Sequence, residues 1–327
     1  MSRARAPLAV FTDPDELDPE PGRRILEQAG FDVVVVGSRD RATIVDAAKG
    51  ATALLVGYAP VDRSLLDSLG SVRIVSMMAV GFDSVDLAAC EAHGVWVTNV
   101  PAAASEEVAV HAFALALSLV RRIGFLDRHV RQGGWAADAD EPMRRPSTMT
   151  FGVVGLGRIG RRVAQIAQPV FGRVLGHDPY LEGAAWPASV GRCSVEQLLR
   201  ESDVVSLHLP GQAGGRPLLD GERLAMLPPG AALVNVARGS LVDQAALLAA
   251  LDEGRLCGAA LDVLAVEPPR LDDPVRSHPR VILTPHLAYL SDQSAHDYVA
   301  RAAENVVAWA TTGQPLDVVA RGREQET

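Results

Sequence analysis

Polar residues follow three successive apolar stretches in the second half of the chain. Arg238 comes after "ALVNVA", Asp262 and Glu267 come after "GAAL", and His286 ends "VILTPH". An arginine offers a planar, bidentate fork for a carboxylate, and an imidazole gives or takes a proton near neutral pH. A nearby carboxylate would hold that imidazole and favour its charged form. Residues of these types indicate an anion clamp beside a proton donor.

Each of these residues also has a plainer interpretation. A single arginine in a loop usually belongs to a surface ion pair, and a single histidine before an apolar run is more often structural. In an open α/β sheet, however, ligands bind at the carboxyl ends of the strands. The joint position of the polar residues after successive predicted strands therefore favours a functional site.

A glycine-rich segment, "FGVVGLGRIGRRVAQIA", precedes these clusters. Its apolar run, glycine turn and helical spacing have the order that a phosphate-binding turn requires. Gly155 would allow the tight turn, Gly157 the approach of a pyrophosphate, and Gly160 close packing of helix on strand. The amino end of the helix would supply amide donors. Alone, the motif could also mark a simple turn.

The next predicted strand ends in "VLGHDPY" and places Asp178 23 residues after Gly155. A spacing of about 20 residues is typical of the acidic residue that hydrogen-bonds a ribose 2′-hydroxyl. A solvated loop aspartate is the alternative, but the agreement of strand, turn, helix and strand favours a dinucleotide. Since a carboxylate there would repel a 2′-phosphate, NAD is predicted rather than NADP.

Two series of α/β units must position these residues. In the first hundred residues, apolar runs alternate with helix-length segments, which predicts parallel strands at "LAVFT", "DVVVVG", "ALLVG", "VRIVSMM" and "VWVTNV". A second series predicts six strands at "FGVVG", "RVLGHD", "DVVSLHLP", "ALVNVA", "GAALDV" and "VILTPH". Six parallel strands would complete a doubly wound nucleotide-binding domain.

Helical segments connect and close the two series. Residues 104–124 predict a long buried helix with Ser105 as its N-cap, and residues 127–146 predict an exposed helix and loop. After His286, a helix should begin near Ser291 and pack back on the first unit, with no strand to follow it.

Composition limits the classes of protein that fit. A length of 327 residues predicts about two domains, and 48% hydrophobic and 22% charged residues are typical of a globular protein. A net charge of −9 argues against general attraction to nucleic acid, and no apolar run reaches the ~18 residues of a membrane span. Cys90, Cys193 and Cys257 lack the spacing of a disulfide framework or a zinc site, which favours a reducing, cytoplasmic compartment and no metal.

The motifs together resemble those of the NAD-dependent D-isomer-specific 2-hydroxyacid dehydrogenase family. The similarity runs from the first strand to the helix near Gly313, and it is carried by "VGFDSVDLAACEAHGVWVTNVP", "GVVGLGRIG", "NVARGSLVD", "GAALDVLAVEPP" and "TPHLAYLS". The resemblance implies an α/β fold in which a Rossmann dinucleotide-binding domain, residues 104–289, is inserted into a flavodoxin-like substrate domain, residues 1–103 and 290–327. It also implies hydride transfer between NAD(H) and a small 2-keto or D-2-hydroxy acid, and a homodimer formed through the nucleotide domain.

The resemblance further implies catalytic and substrate-binding roles. His286 would be the general acid and base, Glu267 its partner, and Arg238 the clamp on the substrate carboxylate and C2 oxygen. Backbone groups would also bind the substrate carboxylate, at Ala79, Val80 and Gly81.

For the cofactor, the resemblance implies a larger set of contacts. These residues are Gly155, Gly157, Arg158, Ile159, Gly160, Asp178, His208, Pro210, Val236, Ala237, Arg238, Asp262 and His286. Among them, Arg158 and Ile159 would cover the pyrophosphate, His208 and Pro210 would lie beside the adenosine, and Asp262 would lie beside the nicotinamide amide.

Several segments bear on the branch of the family. The loop after "SLHLP" reads "GQAGGRP" where a threonine-bearing polar run is usual, which leaves its cofactor contacts open. "HDPYLEG" and "TPHLAYLSDQS" are closest to the C-terminal-binding-protein branch, whose members repress transcription and sense NADH, but that branch has an arginine in place of Met77. Such a corepressor is therefore the alternative to an enzyme of the glyoxylate and hydroxypyruvate reductase type.

Two loops of the first unit, "GYAPVD" and "SMMAVGF", are expected to face the substrate pocket. Neither contains Lys or Arg before Arg63, and a partly apolar lining is expected from Tyr58, Met77, Met78 and Tyr289. A phosphorylated substrate would lack an anchor there. The predicted substrate is a small unphosphorylated 2-keto acid such as glyoxylate, hydroxypyruvate or a longer-chain analogue.

Overall fold

A computed structural model describes residues 6–135, 143–211 and 215–323 of the chain. Contacts divide it into two compact units, Met1–Ala103 with Ser291–Thr327, and Ala104–Leu290. The chain thus leaves the first unit, builds the whole of the second and then returns. Each unit has its own sheet and its own apolar core.

The first unit contains six strands and five helices among the residues that the structure describes. They are β1 (Leu8–Phe11), α1 (Glu20–Gln28), β2 (Asp32–Val35), α2 (Arg41–Ala47), β3 (Ala51–Val56), α3 (Arg63–Ser68), β4 (Ile74–Met77), α4 (Leu87–His93), β5 (Trp96–Thr98), α11 (Asp292–Thr312) and β13 (Val318–Ala320). The sheet order is β13-β5-β4-β3-β1-β2, with β1 to β5 parallel. This is the flavodoxin-like order, as expected.

Three helices of this unit begin at an aspartate. The side chains of Asp40, Asp62 and Asp86 precede α2, α3 and α4 and accept hydrogen bonds from the amides of Thr43, Leu65 and Ala89. A carboxylate at this position satisfies an amide that the helix leaves unpaired and favours the positive end of its dipole. These caps fix the residue at which each helix starts, at the end of the loop that leads from the preceding strand.

The end of the chain completes the first sheet. Ser291 caps α11 through a reciprocal capping box with Ser294, and α11 packs on α1, β3 and β4. The expectation that no strand follows this helix is wrong, because β13 pairs antiparallel with β5. Only three residues form β13 and they are partly exposed, so this short apolar run is too brief to predict a strand.

The second unit contains seven strands and six helices among the described residues. They are α5 (Ser105–Val120), α6 (Ile123–Arg131), β6 (Thr150–Val154), α7 (Arg158–Ala167), β7 (Arg173–His177), β8 (Gly191–Arg192), α8 (Val195–Glu201), β9 (Val204–Leu207), α9 (Gly221–Leu224), β10 (Ala231–Asn235), α10 (Gln244–Asp252), β11 (Leu256–Leu261) and β12 (Val281–Leu283).

All strands of the second sheet are parallel, in the order β12-β11-β10-β9-β6-β7-β8. Around β6 this is the doubly wound Rossmann order, with β8 added at the edge beyond the six predicted strands. The two residues of β8 are exposed and carry no apolar signal. The carboxyl ends of β6, β9, β10, β11 and β12 meet at one edge, which is where the candidate site is built.

The long helix α5 is buried on one side by β10 and β11. Its first residue is Ser105, so the expectation of Ser105 as N-cap is wrong; Ala104 is the N-cap and has no side-chain cap. Ala104 is itself buried, so packing rather than a hydroxyl fixes the start of the helix. The exposed segment expected at residues 127–146 starts earlier, as α6, and residues 136–142 lie outside the described residues.

Among the described helices, none is long and apolar enough by itself to cross a membrane; α5 and α6, bent by 59° from each other, meet the length and composition criteria when combined.

Candidate active site and nucleotide site

The glycine loop after β6 is shaped by close backbone contacts. Gly155 has a φ of +89°, and a side chain there would overlap the carbonyl of His208 at the end of β9. A side chain at Gly160 would overlap the carbonyl of Gly155, so helix and strand could not pack as they do. The glycines therefore permit a tight turn from β6 into α7.

The loop fits a dinucleotide pyrophosphate because one side of it is open. A Cβ atom at Gly157, the N-cap of α7, would meet nothing within 4 Å. Gly157 has no side chain to cap the helix, so an approaching phosphate would meet backbone and the positive end of the helix dipole. Arg158 is exposed and Ile159 half-buried in the first turn of α7, where they could flank such a group.

Asp178 follows β7 and is tied to the same loop. Its carboxylate accepts hydrogen bonds from the amide of Leu156, at 2.8 Å, and from the amide of Tyr180, at 2.9 Å. The negative charge is thereby held against the glycine turn. A carboxylate there can accept hydrogen bonds from ribose hydroxyls and would repel a 2′-phosphate.

His208 and Pro210 follow β9 on the other side of the glycine loop. Burial of the His208 ring lowers its pKa to about 3, and Nε2 lies 2.8 Å from the hydroxyl of Ser206. The imidazole is thus neutral over the physiological pH range. The loop beyond is described as far as Gly211, which lies against the side chain of Arg238; Gln212–Gly214 lie outside the described residues.

Arg238 lies in a short loop after β10 that is held at both ends. The buried Asn235 side chain donates to the carbonyl of Arg238, at 2.9 Å, and accepts from the amide of Ala237, at 3.1 Å. A side chain at Gly239 would overlap the backbone of Leu264 and Ala265, after β11. Because Gly239 has no side chain, the Arg238 loop can lie directly against the loop that carries Glu267.

Glu267 and His286 form a hydrogen-bonded pair. His286 Nδ1 lies 2.6 Å from Glu267 Oε2, while Glu267 Oε1 accepts from the amide of Leu264 at 2.7 Å. Because a carboxylate only accepts, Nδ1 carries the hydrogen. The proton that His286 gains or loses is therefore the one on Nε2.

The charge of Glu267 is stabilised by its neighbours. Partial burial works to raise the pKa of Glu267, but the hydrogen bonds from His286 and Leu264 and the nearby charges of His286 and Arg238 lower it further than burial raises it. The net effect is a lowered pKa, so the side chain is ionised at neutral pH. The charges of Arg238 and His286 thus both act on Glu267, so the structure brings the predicted clamp, carboxylate and imidazole together.

The Asp262 carboxylate, for which the resemblance implies a position beside the nicotinamide amide, accepts several hydrogen bonds from the chain itself. Its side chain is buried, and Oδ1 accepts from Thr284 Oγ1 at 2.5 Å and from the amide of Leu287 at 3.0 Å. Oδ2 accepts from the amide of Ala288 at 3.0 Å. The carboxylate is engaged with the chain segment around His286.

His286 has an unusual backbone conformation. Its φ is +55°, in the left-handed region, which costs an L-residue about 1–3 kcal/mol and persists where the surroundings fix it. Its amide donates to the carbonyl of Asp262 at 2.8 Å and to that of Thr284 at 3.1 Å. The backbone therefore sets the direction of the Cα–Cβ bond of His286, and the hydrogen bond to Glu267 holds the ring.

In the first unit, the loop after β4 presents backbone groups in a fixed direction. The carbonyl of Ala79 accepts from the amide of Val100, at 2.9 Å, and that of Val80 accepts from Asn99 Nδ2, at 2.6 Å. In a trans peptide the N–H points opposite to the carbonyl. The N–H groups of Val80 and Gly81 therefore point away from the Asn99–Val100 segment.

The loop after β3 is organised by a residue that sequence reasoning missed. The buried carboxylate of Asp13 accepts from the amides of Gly57, Tyr58 and Ala59, at 3.1, 2.6 and 2.8 Å. Three amides on one carboxylate fix the loop without help from a ligand. The sequence signal that could have indicated this role is an aspartate directly after the predicted strand "LAVFT".

A cation also lies beside this loop. The Arg39 guanidinium is 4.8 Å from the centre of the Tyr58 ring, and it forms ion pairs with Asp13 and Asp15. The expected apolar lining needs correction as well: Met77 and Met78 are 1% and 3% exposed and belong to the interior of the first unit. The residues of the two loops alone show neither the contact from Arg39 nor the direction of the methionine side chains.

Among residues 6–135, 143–211 and 215–323, no group of three His, Cys, Asp or Glu residues could hold a metal ion.

Comparison with known proteins identifies the class of enzyme to which this fold and site belong. Residues 113–288 match the family model "D-isomer specific 2-hydroxyacid dehydrogenase, NAD binding domain". The chain is 37% identical over 265 residues to a glyoxylate reductase of Korarchaeum cryptofilum, covering 80% of each chain. It is 36% identical to a D-3-phosphoglycerate dehydrogenase of Mycobacterium bovis over 94% of this chain and 58% of that one.

Similar structures give the same result. The crystal structure of a D-lactate dehydrogenase from Aquifex aeolicus, complexed with NAD and lactic acid, is similar with a TM-score of 0.83 and 28% identity, over 96% of this chain and 100% of that one. The chain belongs to the D-isomer specific 2-hydroxyacid dehydrogenase family. It is an NAD-dependent 2-hydroxyacid dehydrogenase, and none of these comparisons supports the corepressor alternative.

Proposed function

We propose that the protein reduces a small, unphosphorylated 2-keto acid with NADH, and that His286, Glu267 and Arg238 perform the chemistry. The observation that carries this proposal is the 2.6 Å hydrogen bond between His286 Nδ1 and Glu267 Oε2, with the charge of Arg238 acting on the same carboxylate. NADH, when bound at the glycine loop, would supply the hydride.

His286 is the proton donor in this proposal. Reduction leaves negative charge on the C2 oxygen, and the imidazolium gives its Nε2 proton there. Glu267 stays ionised because its pKa is lowered, so it stabilises the imidazolium and holds the ring by Nδ1. In the reverse reaction the neutral ring takes the proton of the hydroxyl through the same nitrogen.

Arg238 binds the substrate carboxylate in this proposal. It supplies a planar fork with a permanent charge, and its loop is fixed by Asn235. For the first unit, the family resemblance implies that the backbone at Ala79, Val80 and Gly81 binds a substrate carboxylate, and the carbonyl contacts described above set the direction of the N–H groups of Val80 and Gly81.

Side chains of the first unit favour a small substrate without a phosphate group. Arg39, the cation beside the loop after β3, is paired with Asp13 and Asp15 and so offers little net charge to a phosphate. Tyr58, Val80 and Phe82 are each more than one third exposed and give these loops an apolar character. The glyoxylate reductase similarity supports such a substrate, whereas the phosphoglycerate dehydrogenase similarity is the competing reading.

A panel of keto acids tests the proposal. Glyoxylate, hydroxypyruvate, pyruvate, 2-ketoisocaproate and 3-phosphohydroxypyruvate would each be assayed with NADH and NADPH by absorbance at about 340 nm. We expect an unphosphorylated acid to give the highest kcat/KM, and NADH to exceed NADPH strongly because of Asp178. A clear preference for 3-phosphohydroxypyruvate would refute the substrate class, and equal use of both nucleotides would refute the role of Asp178.

The proposal includes a homodimer. Several exposed apolar side chains belong to α5, α6 and the residues that follow, namely Val110, Ile123, Phe125, Val130 and Trp135. Exposed apolar side chains that lie together are typical of interaction surfaces. Because the family resemblance implies pairing through the nucleotide domain, a second copy of the chain is the partner that we propose.

A further inference from the structure

A row of side chains links α5 to the segment that carries His286. His111, on α5, has Nε2 3.1 Å from Thr284 Oγ1, and Thr284 Oγ1 lies 2.5 Å from Asp262 Oδ1. Asp262 also accepts the amides of Leu287 and Ala288. An ionised carboxylate has no hydrogen to give, so the Thr284 hydroxyl donates to Asp262. That hydroxyl must then accept from His111, whose Nε2 carries the hydrogen.

This row of hydrogen bonds ends on the backbone of the segment that contains His286. The Asp262 carboxylate holds the two peptides after His286, and the Asp262 carbonyl holds the amide of His286 itself at 2.8 Å. The left-handed φ of His286 needs such support, because L-residues rarely adopt it unaided. Through its hydrogen bonds to Thr284, Leu287 and Ala288, the Asp262 carboxylate can act as an anchor for this segment.

We propose that His111 is a positioning residue for the reaction, acting through Thr284 and Asp262 to keep the His286 imidazole in its working direction. The inference rests on the proposed role of His286 as proton donor. His111 reaches the site from a helix that is packed against β10 and β11, so its ring is mounted on a rigid support. Removing its N–H leaves the Thr284 hydroxyl free to rotate away from Asp262, and the segment loses one of its restraints.

Paired substitutions test the inference in the full chain. His111→Leu removes the donor, whereas His111→Gln keeps an N–H at nearly the same reach; Thr284→Val and Thr284→Ser form a second pair. We expect H111L and T284V to lower kcat for the preferred keto acid by about 10- to 100-fold, since small misplacement of a catalytic group costs that much. H111Q and T284S should recover most of it. NADH affinity, measured by fluorescence titration, and the melting temperature should stay near wild type.

Two controls make the result specific. His93→Leu repeats the substitution at a histidine of α4 that bonds Ala89 and Asp67, and it should leave kcat unchanged. The double variant H111L/T284V should have a kcat no lower than that of the more impaired single variant, because both substitutions break the same row of hydrogen bonds. Independent, multiplying losses would overturn the inference.

The remaining outcomes separate this inference from the proposed function. If H286N abolishes turnover but H111L keeps wild-type kcat, or if H111Q is as impaired as H111L, the positioning role is wrong and the proposed function stands. If H286N retains full turnover, the proposed function fails and this inference with it. Should H111L not fold, the comparison of T284V with T284S decides by the same criteria.

Discussion

Glu267 has its effect through charge as well as shape. Its lowered pKa means that it remains ionised until the pH is more acidic than for an ordinary glutamate, and over that range it favours the imidazolium form of His286. Keto-acid reduction needs that form, so its rate should be high on the acid side and fall as rising pH removes the imidazole proton.

Replacing Glu267 by Gln tests this coupling. Glutamine keeps the shape but loses the charge, so the imidazolium is less favoured and the fall in kcat/KM should move to lower pH. The measurement is the pH profile of reduction from pH 5 to 9. Glu304→Gln, on the surface of α11, is the control and should leave the profile in place. An unshifted profile in E267Q would remove Glu267 as the partner of His286.

His208 is expected to affect stability rather than catalysis. Its ordinary pKa of 6.5 is lowered to about 3 by burial, so on acidification the unfolded chain takes up a proton that the folded chain refuses. The contribution is nil above pH 6.5 and increasingly destabilising as the pH falls towards 3.

Thermal melts at pH 7.5 and pH 5.0 check this expectation. The melting temperature of wild type should drop between the two values, and His208→Gln should show a smaller drop because it has no imidazole to protonate. A drop of equal size in both proteins would mean that the His208 ring is not kept neutral by the fold.

At the scale of elements, the site depends on how closely two loops approach. The turn after β10 and the turn after β11 touch at Gly239, where a Cβ atom would overlap the backbone of Leu264 and Ala265. A side chain at this position would push the two turns apart and should move Arg238 away from Glu267.

Gly239→Ala should therefore harm both stability and catalysis. Overpacking of this kind costs about 1–3 kcal/mol, and the displaced arginine should lower kcat/KM by about 100-fold. Urea unfolding and keto-acid kinetics measure the two effects. Gly70→Ala is a matched control, since a Cβ atom there meets nothing within 4 Å. If G239A were as active and stable as G70A, the close approach would not matter.

Strands and their polar ends were predictable because each leaves a local signal. Apolar runs followed by Arg238, Glu267 and His286 gave the sheet edge, and "GLGRIG" gave the turn. The very short strand β8 was missed because its two residues, a glycine and an arginine, are exposed, and β13 was missed because three apolar residues are too few to show an alternating pattern. His111 and Asp13 were missed for another reason: their partners are distant in sequence, at Thr284 and at residues 57–59, and only the fold brings them together.

At the scale of the whole molecule, self-association is the property to measure. Ile123 and Trp135 are 55% and 90% exposed, and we propose that a second copy covers them. Replacing both by Asp should convert a dimer into a monomer in sedimentation velocity, because charges would be buried without partners. Val318→Asp, on the first unit, is the control and should leave the dimer intact. A wild type that sediments as a monomer would refute the dimer.

The order of the two units along the chain has a consequence for how the protein is made. During synthesis the residues of the second unit, Ala104–Leu290, leave the ribosome as one uninterrupted stretch, whereas the first unit must wait for α11 and β13. Until those last residues emerge, the edge of β5 is unpaired and the surfaces of β3 and β4 that α11 covers are exposed. A chain that ends at Leu290 should therefore be protected from protease in the second unit and cleaved in the first hundred residues, because the first unit folds fully only when α11 and β13 are present.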